Sequence, residues 1–242
     1  MPRRIVSFEG TWEQFTQLSV TQDSLALEKR GVRRWLMLPY LAFLVPVDDP
    51  AIRAQLTAWQ EVFRPWMDYD PQPADRLHVT LHYVGGLRNR SWVLLPHSWK
   101  RAALPRLADQ THAILQRFEP FTIEIGPLNA FANVLFAEVH DPDNCLRLLR
   151  AKLQRALPLR ARPPRMWPFL PHVTLGYWGR QRVQPLISAL APYRDVKPLV
   201  LHVTRVTFTI YTRDIDNLDR DVLKTADEEI IAEYHLDEST IG

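Results

Sequence analysis

The chain of 242 residues has little of what builds disulfide-linked, cysteine-rich or membrane proteins. Its single cysteine, Cys145, can form neither an internal disulfide nor a cysteine-rich metal site, and its helical surroundings favour a buried small apolar residue. The longest apolar run, Leu36 to Val47, is too short to span a bilayer and is interrupted by prolines. We therefore expect no transmembrane helix and no association with membranes.

The first residues, "MPRRIVSFEGTW", also lack the apolar core of a secretory signal, which favours a cytoplasmic protein. Lysine is scarce, since 25 of the 30 basic residues are arginine, and several arginines lie between Leu146 and Arg165. Guanidinium groups suit bidentate phosphate binding. The arginine-rich segment therefore has two open interpretations, a site for a phosphorylated or nucleic-acid ligand and a solvated helix face with its loop.

The tripeptide His-Val-Thr occurs three times, beginning at His78, His172 and His202. The first two copies each follow an apolar run that ends in Asp-Pro and then a helical pattern. The spacing from Pro50 to His78 is nearly the same as that from Pro142 to His172. The sequence therefore predicts a duplicated α+β unit of strand, helix and strand, with a proline in the first turn of each helix.

Further segments join and flank the two units. We expect a helix over Pro105 to Phe118, a strand over Phe121 to Ile125 and a loop insertion over Arg88 to Lys100. The C-terminal segment is expected to hold a helix near Leu218 to Lys224 and a strand near Ile230 to Leu236. This gives an N-terminal extension (1–34), poorly periodic, a two-lobed domain (35–213) and a C-terminal extension (214–242) packed on that domain.

The two duplicated strands have a polar and an apolar face. Residues two apart in a strand point to one side, so His78 lies beside Thr80 and His172 beside Thr174. Strict alternation along each strand assigns the remaining residues to one face or the other. The faces opposite the histidines are apolar, so we expect them to be buried. The polar faces would include His82, Val84, Gly176 and Trp178, and the buried faces Leu77, Val79, Leu81, Tyr83, Val173, Leu175 and Tyr177.

The third His-Val-Thr copy differs from the first two. It has no strand and Asp-Pro before it, and alternation places His202 and Thr204 with Val206, Phe208 and Ile210. If those apolar residues face the core, His202 lies at the end of a core face. The sequence therefore predicts that His202 is a structural histidine.

Two histidines on opposite sides of one cleft can act as base and acid, because the imidazole pKa lies near neutrality. Thr80 and Thr174 could donate hydrogen bonds to a phosphate held between the imidazoles. His78 and His82 would lie roughly 13 Å apart by the strand rise, too far to bind one metal directly. We expect in-line attack on a phosphodiester with no metal and no cofactor. The alternative is two ordinary strands whose histidines are structural.

These residues resemble the two-histidine (2H) phosphoesterase superfamily, in particular its 2′-5′ RNA ligase-like or RNA 2′,3′-cyclic phosphodiesterase branch. The family is marked by two His-x-Thr/Ser motifs, which "RLHVTLHYVG" and "FLPHVTLGYW" match. "LNAFANVLFAEV" is similar to the segment that usually precedes the second motif. The resemblance covers Leu36 to Tyr211.

The resemblance implies an α+β, bilobed LigT-like fold, with two antiparallel sheets flanking a central cleft and helices outside. It implies His78 and His172 as the catalytic pair, Thr80 and Thr174 as phosphate-binding residues, and no metal ligands. In the cyclic phosphodiesterases that it resembles, the first histidine is usually the acid and the second the base. Among the aromatic residues, Tyr177, Trp178 and Phe131 are candidates to bind a nucleobase, as are Tyr83, Trp167, Phe169 and Tyr211.

The expected activity is hydrolysis of 2′,3′-cyclic phosphates on RNA ends or small nucleotides by a monomeric protein. Two alternatives remain open from sequence. The same residues could cleave 2′,5′-linked or cyclic oligonucleotide signals, or the fold could serve as a nucleotide-binding module with little turnover.

Overall fold

The computed structural model describes residues 7–23, 39–67, 70–88, 98–157, 169–212 and 227–236. The helices are α1 (Phe8–Thr16), α2 (Pro50–Phe63), α3 (Leu104–Leu115), α4 (Cys145–Ala156) and α5 (Val183–Leu190). The strands are β1 (Tyr40–Pro46), β2 (His78–Arg88), β3 (Ser98–Lys100), β4 (Phe121–Phe131), β5 (Val134–His140), β6 (His172–Tyr177), β7 (Leu199–Val203), β8 (Arg205–Thr212) and β9 (Asp227–His235). Within these ranges no helix is long and apolar enough to cross a membrane.

The strands form one sheet in the order β7-β4-β5-β6-β2-β1-β8-β9, with β3 added in parallel beside β2. The other neighbours are antiparallel. The halves β7-β4-β5-β6 and β2-β1-β8-β9 meet at one residue pair, Val79 opposite Val173. The expected α+β, two-lobed class is confirmed, and this pair joins the two expected sheets into one.

The main core lies on one face of the sheet, where α2 and α4 pack. Helix α2, which follows β1, contacts β6 in the second half, whereas α4, which follows β5, contacts β2 in the first. A separate small cluster of Tyr40, Ala42, Leu44 and Tyr211 lies on the other face, which we call the cleft face. The two units thus exchange their helices and leave the cleft face open around the joining pair.

The expected repeat is confirmed as β1-α2-β2 and β5-α4-β6. In the first unit, Asp49 caps α2 by accepting hydrogen bonds from the amides of Ala51 (2.8 Å) and Ile52 (3.0 Å), and Pro50 is the first helical residue. The second helix begins at Cys145, preceded by Asn144 with a φ of 59°. The prediction of a proline in the first turn is therefore correct for α2 and wrong for α4.

A β-bulge interrupts both His-Val-Thr strands at the same place. In β2, His82 pairs with Phe43 and Thr80 with Leu44, so Leu81 is the extra residue. In β6, Leu175 is the extra residue between the paired Gly176 and Thr174. An extra residue reverses the alternation beyond it.

Beyond the bulges, six residues lie on faces opposite to those predicted. The helix-covered face holds His82, Val84, Gly176 and Trp178, and the cleft face holds Tyr83 and Tyr177. The predicted faces are correct up to the extra residues Leu81 and Leu175, which are buried as predicted. Because both bulges occupy equivalent positions, they belong to the duplicated unit.

A side chain from helix α4 stabilises the bulge in β2. Arg150 of α4 donates to the Leu81 carbonyl oxygen at 2.5 Å, and its guanidinium lies 4.6 Å from the centroid of the Phe169 ring. His82 is 2% exposed, and its Nε2 lies 3.3 Å from the Leu157 carbonyl oxygen. This arginine of the basic segment therefore contributes to packing, while residues 158–165 of that segment lie outside the described ranges.

Several other predicted elements differ in their bounds. Helix α3 lies close to its predicted position, and β4 continues to Phe131 rather than ending at Ile125. The predicted loop insertion ends in a strand, β3. The predicted C-terminal strand is present as β9, while Leu218 to Lys224 lie outside the described residues. The N-terminal segment, which lacked clear periodicity, contains α1, capped by Ser7.

The third His-Val-Thr copy crosses between two strands. His202 lies on β7, an edge strand of the sheet, and is exposed. Thr204 separates β7 from β8. The buried Val206 belongs to β8, which lies in the other half of the sheet. The prediction of a core position for His202 is wrong because the chain changes strands at Thr204.

The buried His82 predicts a dependence of stability on pH. Burial lowers the pKa of His82 from 6.5 to about 4, so between these values the unfolded chain binds more protons than the folded one. The unfolding free energy should therefore fall as the pH falls from 7 to 4, with His82 contributing on the order of 3 kcal/mol. In His82→Gln, chemical denaturation should show a shallower decline than in wild type. His202→Gln, at an exposed position, should keep the wild-type slope, and equal slopes in all three proteins would contradict the prediction.

Candidate active site

Four predicted site residues meet on the cleft face. His78 and Thr80 flank Val79, and His172 and Thr174 flank Val173, the residue paired with Val79. Extending this antiparallel register by one residue places each histidine across from the threonine of the other strand. Diagonal neighbours in such a pair lie roughly 7–8 Å apart, which leaves room for one small group between the imidazoles.

Both imidazoles are held in the same way. His78 Nδ1 lies 2.8 Å from the Arg76 carbonyl oxygen, and His172 Nδ1 lies 2.8 Å from the Leu170 carbonyl oxygen. A carbonyl oxygen only accepts, so Nδ1 carries the proton in each ring. Nε2 is then left with a lone pair in the neutral ring, free to take a proton from a group in the cleft or to donate one when charged.

The surroundings keep both rings neutral near pH 7. Burial lowers the pKa of His78 to about 4, although the hydrogen bond to Arg76 raises it, and the charge of His172 lowers it further. Burial also lowers the pKa of His172, against the effect of its hydrogen bond to Leu170. Because each charge opposes the other, the pair favours states with at most one imidazolium.

The neighbours of the two rings differ. The Tyr211 hydroxyl lies 3.1 Å from His78 Nδ1 and 3.5 Å from its Nε2, and Tyr211 is 4% exposed. The His172 ring instead contacts two phenyl rings, Phe136 at 5.1 Å and Phe131 edge-on at 5.4 Å. One histidine therefore has a polar side-chain partner and the other an apolar surround.

The aromatic residues predicted to bind a base fall into two groups. Trp178 is fully buried and packs edge-on against Phe63 at 6.4 Å, so its prediction as a base-binding residue is wrong. The bulge at Leu175 turns it from the cleft to the core. Phe131 and Tyr177 are half-buried and lie on the His172 side of the cleft. Trp167 lies outside the described residues.

The remaining candidates for binding a base pack against other side chains of the protein. Phe169 packs under Arg150. Tyr83 and Tyr211 both contact Tyr40, at 5.5 Å and 5.0 Å between ring centroids. Tyr211 is too buried to offer a ring face to a ligand.

A buried ionic cluster supports the second half of the site. Glu138 pairs across the strands with His172 and accepts hydrogen bonds from Asn129 (2.7 Å), His140 (3.1 Å) and Arg194. Burial alone would raise the pKa of Glu138, but the bonds from His140 and Arg194 outweigh it and lower the pKa. The carboxylate is thus ionised and fully paired.

The N-terminal helix reaches the same cluster. Asn129 also donates to the Phe8 carbonyl oxygen at 2.9 Å, and the Phe8 ring lies 5.1 Å from the His140 ring and 6.3 Å from the Phe136 ring. Helix α1 therefore packs beside the His172 side of the cleft. Sequence reasoning missed this contact, because α1 lacks a periodic pattern and is distant in sequence from both motifs.

Sequence reasoning also missed Tyr211 as a partner of His78. Alternation along β8 places Tyr211 on the face away from Val206, Phe208 and Ile210, and the structure has it there. Tyr211 reaches His78 because β8 lies beside β1, which in turn lies beside β2. This order of strands in the sheet cannot be predicted from alternation along a single strand.

On the first half, the cleft continues into a pocket of about 290 Å³ beside His78, with Arg76, Arg205 and Glu228 among its lining residues. Arg205 is paired with Asp48 at 2.8 Å and Glu233 at 2.6 Å. Among the described residues, no three histidine, cysteine or acidic side chains group as metal ligands.

Comparison with solved structures finds the same fold in several proteins. LigT of E. coli in its apo form is 18% identical, with a TM-score of 0.57 over 83% of this chain and 99% of LigT. TT0787 of Thermus thermophilus is 21% identical, with a TM-score of 0.53 over 81% of this chain and 97% of that protein. A protein described as a phosphoesterase is 20% identical, with a TM-score of 0.58 over 83% and 99%.

No curated protein matches the sequence. The model of the 2′-5′ RNA ligase superfamily matches residues 47–215, which is more than half of the chain and includes both histidines of the cleft. Together with the LigT-like fold, this match shows that the chain belongs to the 2′-5′ RNA ligase superfamily of two-histidine phosphoesterases.

Proposed function

We propose that this protein is a phosphodiesterase that hydrolyses 2′,3′-cyclic phosphates of RNA ends or small nucleotides. The proposal rests on one observation above all. Two imidazoles, each bound through Nδ1 to a backbone carbonyl, flank a single strand-to-strand pair on the cleft face. One ring can then take a proton while the other gives one.

The reaction needs two proton transfers at one phosphorus atom. His172 takes a proton from water at Nε2, and the water oxygen attacks phosphorus in line with the leaving oxygen. The bond from phosphorus to the 3′-oxygen breaks, and Nε2 of the protonated His78 donates a proton to that oxygen, leaving a 2′-phosphate. Exchange with solvent restores both rings. Each transfer is typically worth about 10² to 10⁴ in rate, and neither requires a metal.

The threonines and the phenyl rings complete the proposed site. Thr80 and Thr174 donate hydrogen bonds to the non-bridging phosphate oxygens, where charge develops during attack. Phe131 and Tyr177 bind the base on the His172 side. Structures of LigT hold 3′-AMP and phosphate, which are ligands of the class proposed here. The catalytic unit spans residues 35–213, with an N-terminal extension over 1–34 and a C-terminal extension over 214–242 packed on it, and acts as a cytoplasmic monomer.

Substitution of either histidine tests the proposal. His78→Ala and His172→Ala should each reduce kcat on 2′,3′-cyclic nucleotides and cyclic-phosphate RNA by about 10² to 10⁴-fold, with EDTA present throughout. The double variant should be little worse than either single one, because the two rings act as a unit. His202→Ala should turn over as wild type does.

Full activity in His78→Ala, or activity abolished by EDTA, would overturn the mechanism. The same assay includes 2′,5′-oligoadenylate and cyclic dinucleotides, and preferential cleavage of these would favour a signal-degrading enzyme. Nucleotide binding without turnover of any substrate would favour a binding module.

The pH dependence follows from the lowered pKa values. The active pair carries one proton, so kcat/KM is highest between its two macroscopic pKa values. Since burial lowers both from 6.5, the optimum of kcat/KM should lie below pH 6.5. Above it, loss of the acid's proton should reduce kcat/KM about tenfold per pH unit. A profile that is flat or rises between pH 6.5 and 9 would contradict the assignment.

The proposed base-binding role of Phe131 can be separated from its packing. Phe131→Leu keeps an apolar contact with Phe136 but removes the stacking face, which is worth about 1–3 kcal/mol per base. KM for cyclic nucleotides should rise about tenfold or more, with kcat little changed. A ribose 2′,3′-cyclic phosphate that lacks the base should show no such change, and an equal rise in its KM would mean that Phe131 acts through His172 instead.

A further inference from the structure

Tyr211 belongs to a chain of side chains that reaches His78 from the C-terminal strand. Tyr211 on β8 pairs across the strands with Glu228 on β9, which places the Glu228 carboxylate beside the Tyr211 hydroxyl, within reach of a hydrogen bond. The same hydroxyl oxygen lies 3.1 Å from His78 Nδ1. Glu228, Tyr211 and His78 thus stand in contact in that order.

The direction of the hydrogen bonds follows from the atoms involved. A tyrosine hydroxyl has one proton, and a carboxylate only accepts, so the proton points to Glu228. Towards His78 the hydroxyl therefore presents a lone pair, which accepts from Nδ1–H alongside the Arg76 carbonyl oxygen at 2.8 Å. This arrangement stabilises a proton on Nδ1, and the same hydroxyl lies 3.5 Å from Nε2.

No such chain is present at His172 within the described residues. Its ring contacts Phe131 and Phe136, and the nearest carboxylate across the strands, Glu138, is already paired with Arg194, Asn129 and His140. A positive charge on His172 would therefore face apolar rings. A positive charge on His78 would face an oriented hydroxyl with a carboxylate behind it.

We infer that Tyr211, oriented by Glu228, is a positioning residue for His78 that favours the imidazolium of this ring, the acid proposed above. The inference rests on the proposed phosphodiesterase function. It extends that function by naming the side chains that support one of two histidines whose strands are otherwise equivalent. By this inference the C-terminal strand β9, which carries Glu228, takes part in the site. Glu228 lies beyond residue 215, where the match to the family model ends.

Other charged or titratable groups also face this chain. Burial raises the pKa of Glu228 above its usual value, while nearby Arg76 lowers it and Asp75 raises it. Tyr40 and Tyr177 lie near Tyr211, and His172 near His78. Burial raises the pKa of Tyr211 far above its usual range, so the hydroxyl keeps its proton and remains a donor to Glu228 throughout the working pH range.

The test compares Tyr211→Phe and Glu228→Gln with Tyr234→Phe. Tyr234 is the matched control, because its hydroxyl on β9 bonds to Thr111 at 2.9 Å on the helix-covered face. Tyr211→Phe should reduce kcat about tenfold to a hundredfold and move the alkaline limb of the kcat/KM profile down by about half to one pH unit. Glu228→Gln should move the limb in the same direction with a smaller loss of kcat. Tyr234→Phe should lower the melting temperature and leave the profile unchanged.

A second readout separates this inference from the proposed function. The His78 ring is titrated by NMR in protein saturated with inorganic phosphate, and its pKa should be lower in Tyr211→Phe than in wild type or Tyr234→Phe. If wild type turns over cyclic nucleotides and neither the profile nor this titration changes in Tyr211→Phe, the inference fails and the function stands. If wild type has no turnover, the function fails, and the titration alone decides the inference.

Discussion

The site depends on one backbone contact, the pairing of Val79 with Val173. It is the contact through which β2 and β6 join the two halves of the sheet. Because each valine is flanked by His and Thr on the cleft face, the pairing fixes all four polar residues relative to one another. A shift of one residue in this register would send the histidines of one strand into the core. The site is therefore a consequence of strand register rather than of a loop conformation.

The duplicated unit could be predicted from the sequence because its signals are local. Apolar runs, Asp-Pro and a helical period each occur within a few residues of one another, and both halves fold as these patterns indicate. His78, Thr80, His172 and Thr174 lie before the bulges, where alternation holds. Their common face was therefore predictable, although their meeting across one residue pair was not.

The errors about side-chain faces have a common physical cause, since each arises where one residue changes the alternation. The extra residues Leu81 and Leu175 move Tyr177 into the cleft, and Trp178 and His82 out of it. Thr204 separates His202 from the core residues that follow it. Bulges depend on what supports them, and in β2 that support is Arg150, far away in sequence. The partners of His78 and His172 likewise depend on sheet order, which no local pattern contains.

The two halves share a framework and differ in what surrounds it. Equivalent backbone carbonyls hold both imidazoles, so the duplication alone would give two histidines of equal character. The additions are unequal: β8 and β9 bring Tyr211 and Glu228 to the first half, while the phenyl rings and α1 enclose the second. We attribute the proposed division into acid and base to these additions.

The most direct measurement of the central claim is a crystal structure of the protein with inorganic phosphate. The account predicts one phosphate between the strands, with an oxygen within about 3.2 Å of Nε2 of both His78 and His172 and with hydrogen bonds from the hydroxyls of Thr80 and Thr174. Phosphate bound elsewhere, with the space between the imidazoles empty, or imidazoles too far apart to contact one phosphate, would contradict it.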